Sequence, residues 1–270
     1  MKIRAITGFF FVVVMLASLL LGAYAFATFF IVLSFLCLAE FYRLVRTETI
    51  RPHRSLGVLL AGTIITPLAL DFLFEGYLRY IFLSVPAAIL ICVVELFRKK
   101  EHPFVNLAFT YFGILFIIIP FCFFTALAFI NDDFNFHFPL AFMLMLWAND
   151  TGAYLFGVNF GKHKLFERHS PKKTWEGFFG GLLTSIIVSW IISTQFNDLA
   201  FIYWAAMAVI IAVFGTFGEL FESMLKRSIS KKDSGTLLPG HGGLLDRFDG
   251  LLFSAPLVFI YLYWVIVILA

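Results

Sequence analysis

The chain has 270 residues, 61% of them hydrophobic and only 14% charged, with a mean hydropathy of +0.94 and a formal net charge of +3 at pH 7. A soluble domain of this length needs more charge to cover its surface, so the composition excludes a soluble globular enzyme, a disordered chain and a collagen-like fibre. The small positive charge, with no basic stripe interleaved with aromatics, gives no reason to expect nucleic acid as a partner, and Cys37, Cys92 and Cys122 stand singly in apolar runs, which suggests neither a disulfide framework nor a zinc site.

A bilayer core about 30 Å thick takes roughly 20 helical residues. Nine apolar runs near that length follow one another, at about 6–24, 26–45, 57–75, 79–97, 104–130, 137–157, 177–194, 199–225 and 249–269. Lys2, Arg4 and the small residues around Ala23 also fit a cleaved signal peptide, but the apolar stretch is long for one and a second span follows at once. Pro67, Pro86 and Pro120 fall inside runs and are expected to kink their helices without ending them. With the N-terminus in the cytoplasm, nineteen of the twenty Lys and Arg residues lie in inside segments and only Arg79 lies outside, as the positive-inside rule requires. The expected fold is therefore an all-α polytopic protein of the cell membrane, with nine transmembrane helices, a cytoplasmic N-terminus and a C-terminus outside.

Charge placement divides the chain in two. Residues 1–130, helices one to five, have few ionisable groups away from helix ends. They are expected to serve as scaffold, for lipid access and for any homo-oligomer contacts. Glu40 and Glu95 there read as helix-end ion pairs with Arg43 and Arg98. Residues 131–270, helices six to nine, carry the loops and acids on which chemistry would depend.

A carboxylate inside a span costs about 2.5–3.5 kcal/mol on insertion scales and needs a partner, water or a cation. Asp150, Glu219, Glu222, Asp246 and Asp249 require such an account, and the nine-span topology puts all five at one cytoplasmic depth. Glu219, Glu222 and Lys226 share a helix face, with Ser223 beside them. Asp246 and Asp249 also share a side if the ninth helix has begun by then. Oxygen donors from several elements, without His or Cys at zinc spacing, suit Mg²⁺. For Glu222, ligation of a metal and an ion pair with Lys226 are both open.

Groups suited to anions lie next to these acids. Pro239-Gly240-His241-Gly242-Gly243 puts three glycines where backbone N–H groups can approach a phosphate, flanked by Lys226, Arg227, Lys231, Lys232 and Arg247. Lys172 and Lys173 precede Thr174-Trp175-Glu176-Gly177 and a further glycine pair, Gly180 and Gly181. Each feature has a plain alternative: cations that set topology, glycines that pack helices, Glu176 as a helix cap, His241 as an idle loop residue and Asp233 in a solvated loop. Together, metal-binding acids beside phosphate-binding cations read as a phosphoryl- or nucleotidyl-transfer site.

The stretch from Ser223 to Asp249, SMLKRSISKKDSGTLLPGHGGLLDRFD, closely resembles the signature of phosphatidate cytidylyltransferases, or CDP-diacylglycerol synthases. Asn149-Asp150-Thr-Gly-Ala-Tyr154 and Ser170-Pro-Lys-Lys-Thr-Trp-Glu-Gly177 resemble the family's other motif. The resemblance covers about a hundred residues of the C-terminal half. It implies Mg²⁺-dependent condensation of CTP with phosphatidic acid at the cytoplasmic face, giving CDP-diacylglycerol and pyrophosphate, with room for a second cation. It also implies roles: Asp246, Asp249, Lys226 and Arg247 in catalysis; Lys172, Lys173, Ser223, Arg227, Gly240, His241, Gly242 and Gly243 on substrate phosphates; and Glu219, Asp246 and Asp249, with Asp150 and Glu222 as further candidates, on metal. The family carries Asp where this chain has Glu219, which lengthens that carboxylate by one methylene. Rival readings are a CTP-dependent polyprenol kinase, which would release CDP, and an ion-coupled transporter, which leaves the glycine- and lysine-rich loops unexplained.

Overall fold

The computed structural model describes residues 2–235 and 242–268, with side chains from residue 7. Gly240 and His241 lie outside the described residues. The chain forms two compact units, one of residues 1–126 with 233–247 and the other of residues 127–232 with 248–270.

The first unit holds α1 (Lys2–Leu20), α2 (Ala23–Val45), α3 (Arg54–Leu73), α4 (Ser84–Phe97, entered through a 3₁₀ turn at Leu78–Leu83) and α5 (Pro103–Gly113). A π-helical turn at Ile114–Ile118 then leads into α6 (Ile119–Leu127). Pro120 explains that turn: it has no N–H and its ring crowds the carbonyl four residues back, at Phe116, so the widened turn lets the helix continue. Pro67 is likewise accommodated within α3. Phe26, Phe30, Phe121 and Phe124 are fully buried, with the Phe30 and Phe124 rings 4.8 Å apart, and form the centre of this unit.

The second unit holds α7 (His137–Phe160), a hairpin of β1 (Lys164–Phe166) and β2 (Ser170–Thr174), α8 (Trp175–Gln195), α9 (Phe201–Ser228) and α10 (Asp249–Tyr263), the last extended by a π turn at Trp264–Ile268. Trp204 is fully buried against Phe138, ring centroids 5.6 Å apart. Glycines set the closeness of α7 and α8: a side chain at Gly180 would collide with the Phe156 ring, and one at Gly181 with the Asn149 carbonyl 2.7 Å away. Thr184 Oγ1 fastens the crossing by donating to the Ala148 carbonyl at 2.9 Å. Gly180 and Gly181 are thus packing residues.

Among the described residues, seven helices are long and apolar enough to cross a membrane: Ala23–Val45, Arg54–Leu73, Leu78–Phe97, Pro103–Leu127, Trp175–Gln195, Phe201–Ser228 and Asp249–Ile268. Phe82, Leu96, Phe97 and Phe104 on their surfaces are at least three-quarters exposed, as lipid-facing side chains are. The protein is a multi-pass membrane protein. Of the other two expected spans, α1 has a shorter apolar stretch, Thr7–Leu20, and α7 interrupts its apolar run with Asn149 and Asp150.

The hairpin is the exception to the all-α expectation. Its strands pair antiparallel, Lys164 opposite Thr174 and Phe166 opposite Ser170. Trp175 N–H donates to the His163 carbonyl at 2.9 Å, which closes the hairpin onto the start of α8. Thr174, not Glu176, caps α8: its Oγ1 accepts from Gly177 N–H at 3.1 Å, while Glu176 takes the His163 ring at 2.6 Å.

Candidate active site

A cavity of about 220 Å³ opens in the second unit between α7, the hairpin, α8 and α9. Asn149, Asp150 and Tyr154 line it from α7, Lys172, Lys173 and Thr174 from β2, and Glu219 from α9. The hairpin, unrecognised in the sequence, carries the two lysines to it. Lys173 Nζ lies 2.5 Å from Glu219 Oε2, and both side chains are about a quarter exposed, so the pair is neither buried nor freely solvated.

Glu219 connects this cavity to a second group of acids. Asp150 and Asp249 both lie within electrostatic reach of Glu219 and of Lys173. Gly218 permits the approach of α9 to α10, because a side chain there would collide with the Asp249 carbonyl oxygen. The Asp249 carboxylate accepts from Gly250 N–H at 2.8 Å at the start of α10, and Glu222 on α9 lies near it. Glu222 is fully buried, and its Oε1 lies 3.5 Å from Lys226 Nζ. Four acids, Asp150, Glu219, Asp249 and Glu222, thus lie in one region of this unit, Glu219 paired with Lys173 and Glu222 with Lys226. For Glu222 the pairing expected at i, i+4 is therefore present.

Ser223, Lys226 and Arg227 lie one to two turns beyond Glu219 on α9 and do not line the 220 Å³ cavity. Arg227 Nη1 donates to the Lys231 carbonyl at 3.1 Å, which closes the helix end.

Gly242, Gly243, Asp246 and Arg247 belong to the first unit. The α-helix begins only at Asp249, and Asp246 sits in a separate 3₁₀ turn over Leu245–Arg247, so the two aspartates do not share a helix face. Asp246 Oδ2 accepts from Ser234 N–H at 3.0 Å and from Gly243 N–H at 2.9 Å, drawing together the two ends of the loop. Gly242 has φ +84°, which favours glycine, and the Gly243 amide is engaged by Asp246.

Sequence reasoning missed the residue that anchors this loop. Glu40 on α2, expected to pair with Arg43, is instead buried at 2% exposure against Ser234, Leu244 and Leu245. Its Oε2 accepts from Leu244 N–H at 3.0 Å and its Oε1 from Leu245 N–H at 3.2 Å, and the Ser234 hydroxyl donates to it as well. Two amides and a hydroxyl satisfy a buried carboxylate better than one exposed guanidinium does. A side chain at Gly243 would displace both the Ser234 hydroxyl and the Glu40 carboxylate. Glu95 does lie 3.4 Å from Arg98, as expected, and also binds His53 at 2.6 Å and Asn106 at 2.8 Å.

Among the described residues, no three His, Cys, Asp or Glu side chains already converge in a group able to hold a metal. The donor set around Glu219 is nonetheless all oxygen, which fits a hard cation such as Mg²⁺ and not zinc or copper.

The sequence matches the cytidylyltransferase family over residues 2–265. A phosphatidate cytidylyltransferase of Staphylococcus haemolyticus strain JCSC1435 is 34% identical over 261 residues, spanning 96% of this chain and 97% of the relative. Phosphatidate cytidylyltransferases of Staphylococcus aureus strain COL and Staphylococcus saprophyticus are 35% and 34% identical over 263 and 269 residues, with the same coverage of both chains. With a match over nearly its whole length, the chain belongs to the cytidylyltransferase family.

Proposed function

We propose that this protein condenses CTP with phosphatidic acid to CDP-diacylglycerol and pyrophosphate at the cytoplasmic face of the cell membrane. The observation that carries the reading is the group of acids Asp150, Glu219, Asp249 and Glu222, with Lys173 paired to Glu219 and Lys226 to Glu222. A transporter would need those acids along a path across the bilayer. Here Asp150 and Glu219 border instead a cavity with two lysines of a polar hairpin, which suits a phosphate-bearing substrate.

In the proposed reaction a phosphate oxygen of phosphatidic acid attacks the α-phosphorus of CTP. One P–O bond forms there, the bond to the β-phosphate oxygen breaks, and pyrophosphate leaves with that electron pair. Lys172 and Lys173 would hold phosphate oxygens, and Asn149 and Tyr154 offer hydrogen bonds along the same wall. Asp150, Glu219 and Asp249 would hold Mg²⁺, which when bound offsets the charge of the triphosphate. Lys173, now on Glu219, would exchange that carboxylate for substrate phosphate. For Asp246 as a metal residue, and for Arg247 and the Gly240–Gly243 turn on phosphate, the support is the signature resemblance. A lipid substrate accounts for a phosphate site at membrane depth, since the acyl chains can remain in the bilayer. Nine crossings with a cytoplasmic N-terminus belong to the same proposal and rest on the distribution of the cations.

The deciding experiment incubates detergent-purified protein with phosphatidic acid, labelled CTP and Mg²⁺. Transfer of label into lipid with release of pyrophosphate is expected. Release of CDP would replace this reading with a lipid kinase, and the absence of any turnover would return the acids to a transport role.

A further inference from the structure

The first unit contains a cavity of about 380 Å³ that shares no residue with the one around Glu219. Five arginines line it: Arg43 in the last turn of α2, Arg46 just after that helix, Arg51 in the following loop, Arg54 at the start of α3, and Arg98 at the end of α4. These are a quarter of all the cations in the chain. Among the described residues only Arg98 has a carboxylate partner, Glu95 at 3.4 Å, and no carboxylate lies within 4.0 Å of Arg43, Arg46, Arg51 or Arg54.

Topology alone does not explain the arrangement. The positive-inside rule asks that cations stand on one side of the bilayer, and helix C-termini favour a cation in the last turn. Neither asks that five arginines from three helix ends and a loop line one cavity. The wall is held in place from behind. Arg98 Nη1 donates to the Arg51 carbonyl at 2.7 Å, Arg51 N–H donates to Asn106 Oδ1 at 2.7 Å, and His53 N–H donates to Thr110 Oγ1 at 2.9 Å. Asn106 and His53 in turn hold the buried Glu95. The connection from Arg51 to Arg54 is therefore fixed by buried polar groups; Arg51 Nε donates to the Glu48 carbonyl at 3.1 Å, while among the described residues the guanidinium groups of Arg43, Arg46 and Arg54 have no hydrogen-bond partner. Planar forks of N–H donors converging on a cavity at a membrane helix end match the oxygens of a phosphate group.

We propose that this cavity binds a phosphate group, of the kind borne by an anionic lipid headgroup or by free phosphate, through Arg43, Arg46, Arg51 and Arg54. The site is a second anion site in the chain, additional to the cavity around Glu219, and does not depend on the reaction assigned to that cavity.

The test uses the full-length protein in detergent, with short-chain phosphatidic acid, short-chain phosphatidylcholine and inorganic phosphate as separate titrants, read by thermal shift and by native mass spectrometry. Phosphatidic acid is expected to add in two classes of site. Lys173→Gln should remove one of them, and the combined Arg43→Gln, Arg46→Gln, Arg54→Gln variant the other, weakening it by about tenfold or more. Protection by phosphatidic acid but not by inorganic phosphate assigns a headgroup, and equal protection by both assigns free phosphate. Because removing charge can disturb insertion, the matching Arg→Lys variant keeps the charge and loses the fork, and partial weakening is expected. Unchanged anion binding in both the Gln and the Lys variants, or binding of phosphatidylcholine as strong as that of phosphatidic acid, would overturn the proposal.

Discussion

Glu40 in the first unit and Glu219 in the second are both carboxylates on long apolar helices, yet they are used in opposite ways. Glu40 is closed off, with its oxygens taken by two backbone amides and a hydroxyl of one loop. Glu219 borders a cavity, is about a quarter exposed, and has as partner the terminal amine of a flexible side chain. Releasing Glu40 would strand two amides and a hydroxyl in a buried place at once, so its hold is structural. A carboxylate held by a lysine can change partners at little cost. Buried acids in this chain are thus sorted by what they bind more than by how apolar their surroundings are.

Mutations can break or sharpen this contrast. The largest effect is expected at Asp249, where Asn keeps the helix-start hydrogen bond but weakens the group of acids. Turnover in the labelled-CTP assay should fall by at least about a hundredfold while membrane insertion, followed by protease protection, is unchanged. Glu40→Ala should come next, through stability: losing the partner of three donors costs on the order of 3 kcal/mol, visible as a lower melting temperature along with lost activity. Glu40→Gln, which keeps an acceptor oxygen, should recover part of both. If Glu40→Ala leaves melting and turnover alone, the loop is not anchored as described. Lys173→Gln should lower kcat/KM for CTP about tenfold with little change in melting, since the pair with Glu219 is partly exposed. The smallest effect is expected from Glu219→Asp, which shortens the reach to Lys173 but keeps the charge. Turnover should be maintained or rise, and a large loss would remove Glu219 from the proposed metal set.

Much of this was legible in the sequence because the bilayer imposes a length and an apolarity that can be read residue by residue. The seven clear spans and the packing glycines follow from that constraint. The hairpin did not, because strands of three and five residues that are mostly polar, one with Pro171 inside it, give no alternating signal. Asp150, Glu219, Glu222, Asp246 and Asp249 stood out as acids in apolar surroundings; Asp150, Glu219 and Asp249 lie within electrostatic reach of one another, while Asp246 is taken up by amides of a loop in the first unit. The partners were harder. Lys173 and Glu219 are 46 positions apart and Glu40 and Ser234 are 194 apart. For Glu40 the neighbour three residues along the helix, Arg43, was the only partner in view from the local sequence, and it proved to be the wrong one.

The tie from Glu40 to Ser234, Leu244 and Leu245 also bears on how the chain is made. At ribosomal rates of about 5–20 residues per second, some 10–40 seconds pass between synthesis of the helix that carries this acid and synthesis of its eventual partners. During that interval headgroup water or the adjacent Arg43 must hold it, and completion of the polypeptide then exchanges a temporary companion for the permanent one. Maturation of the first unit accordingly waits on residues made almost two hundred positions later.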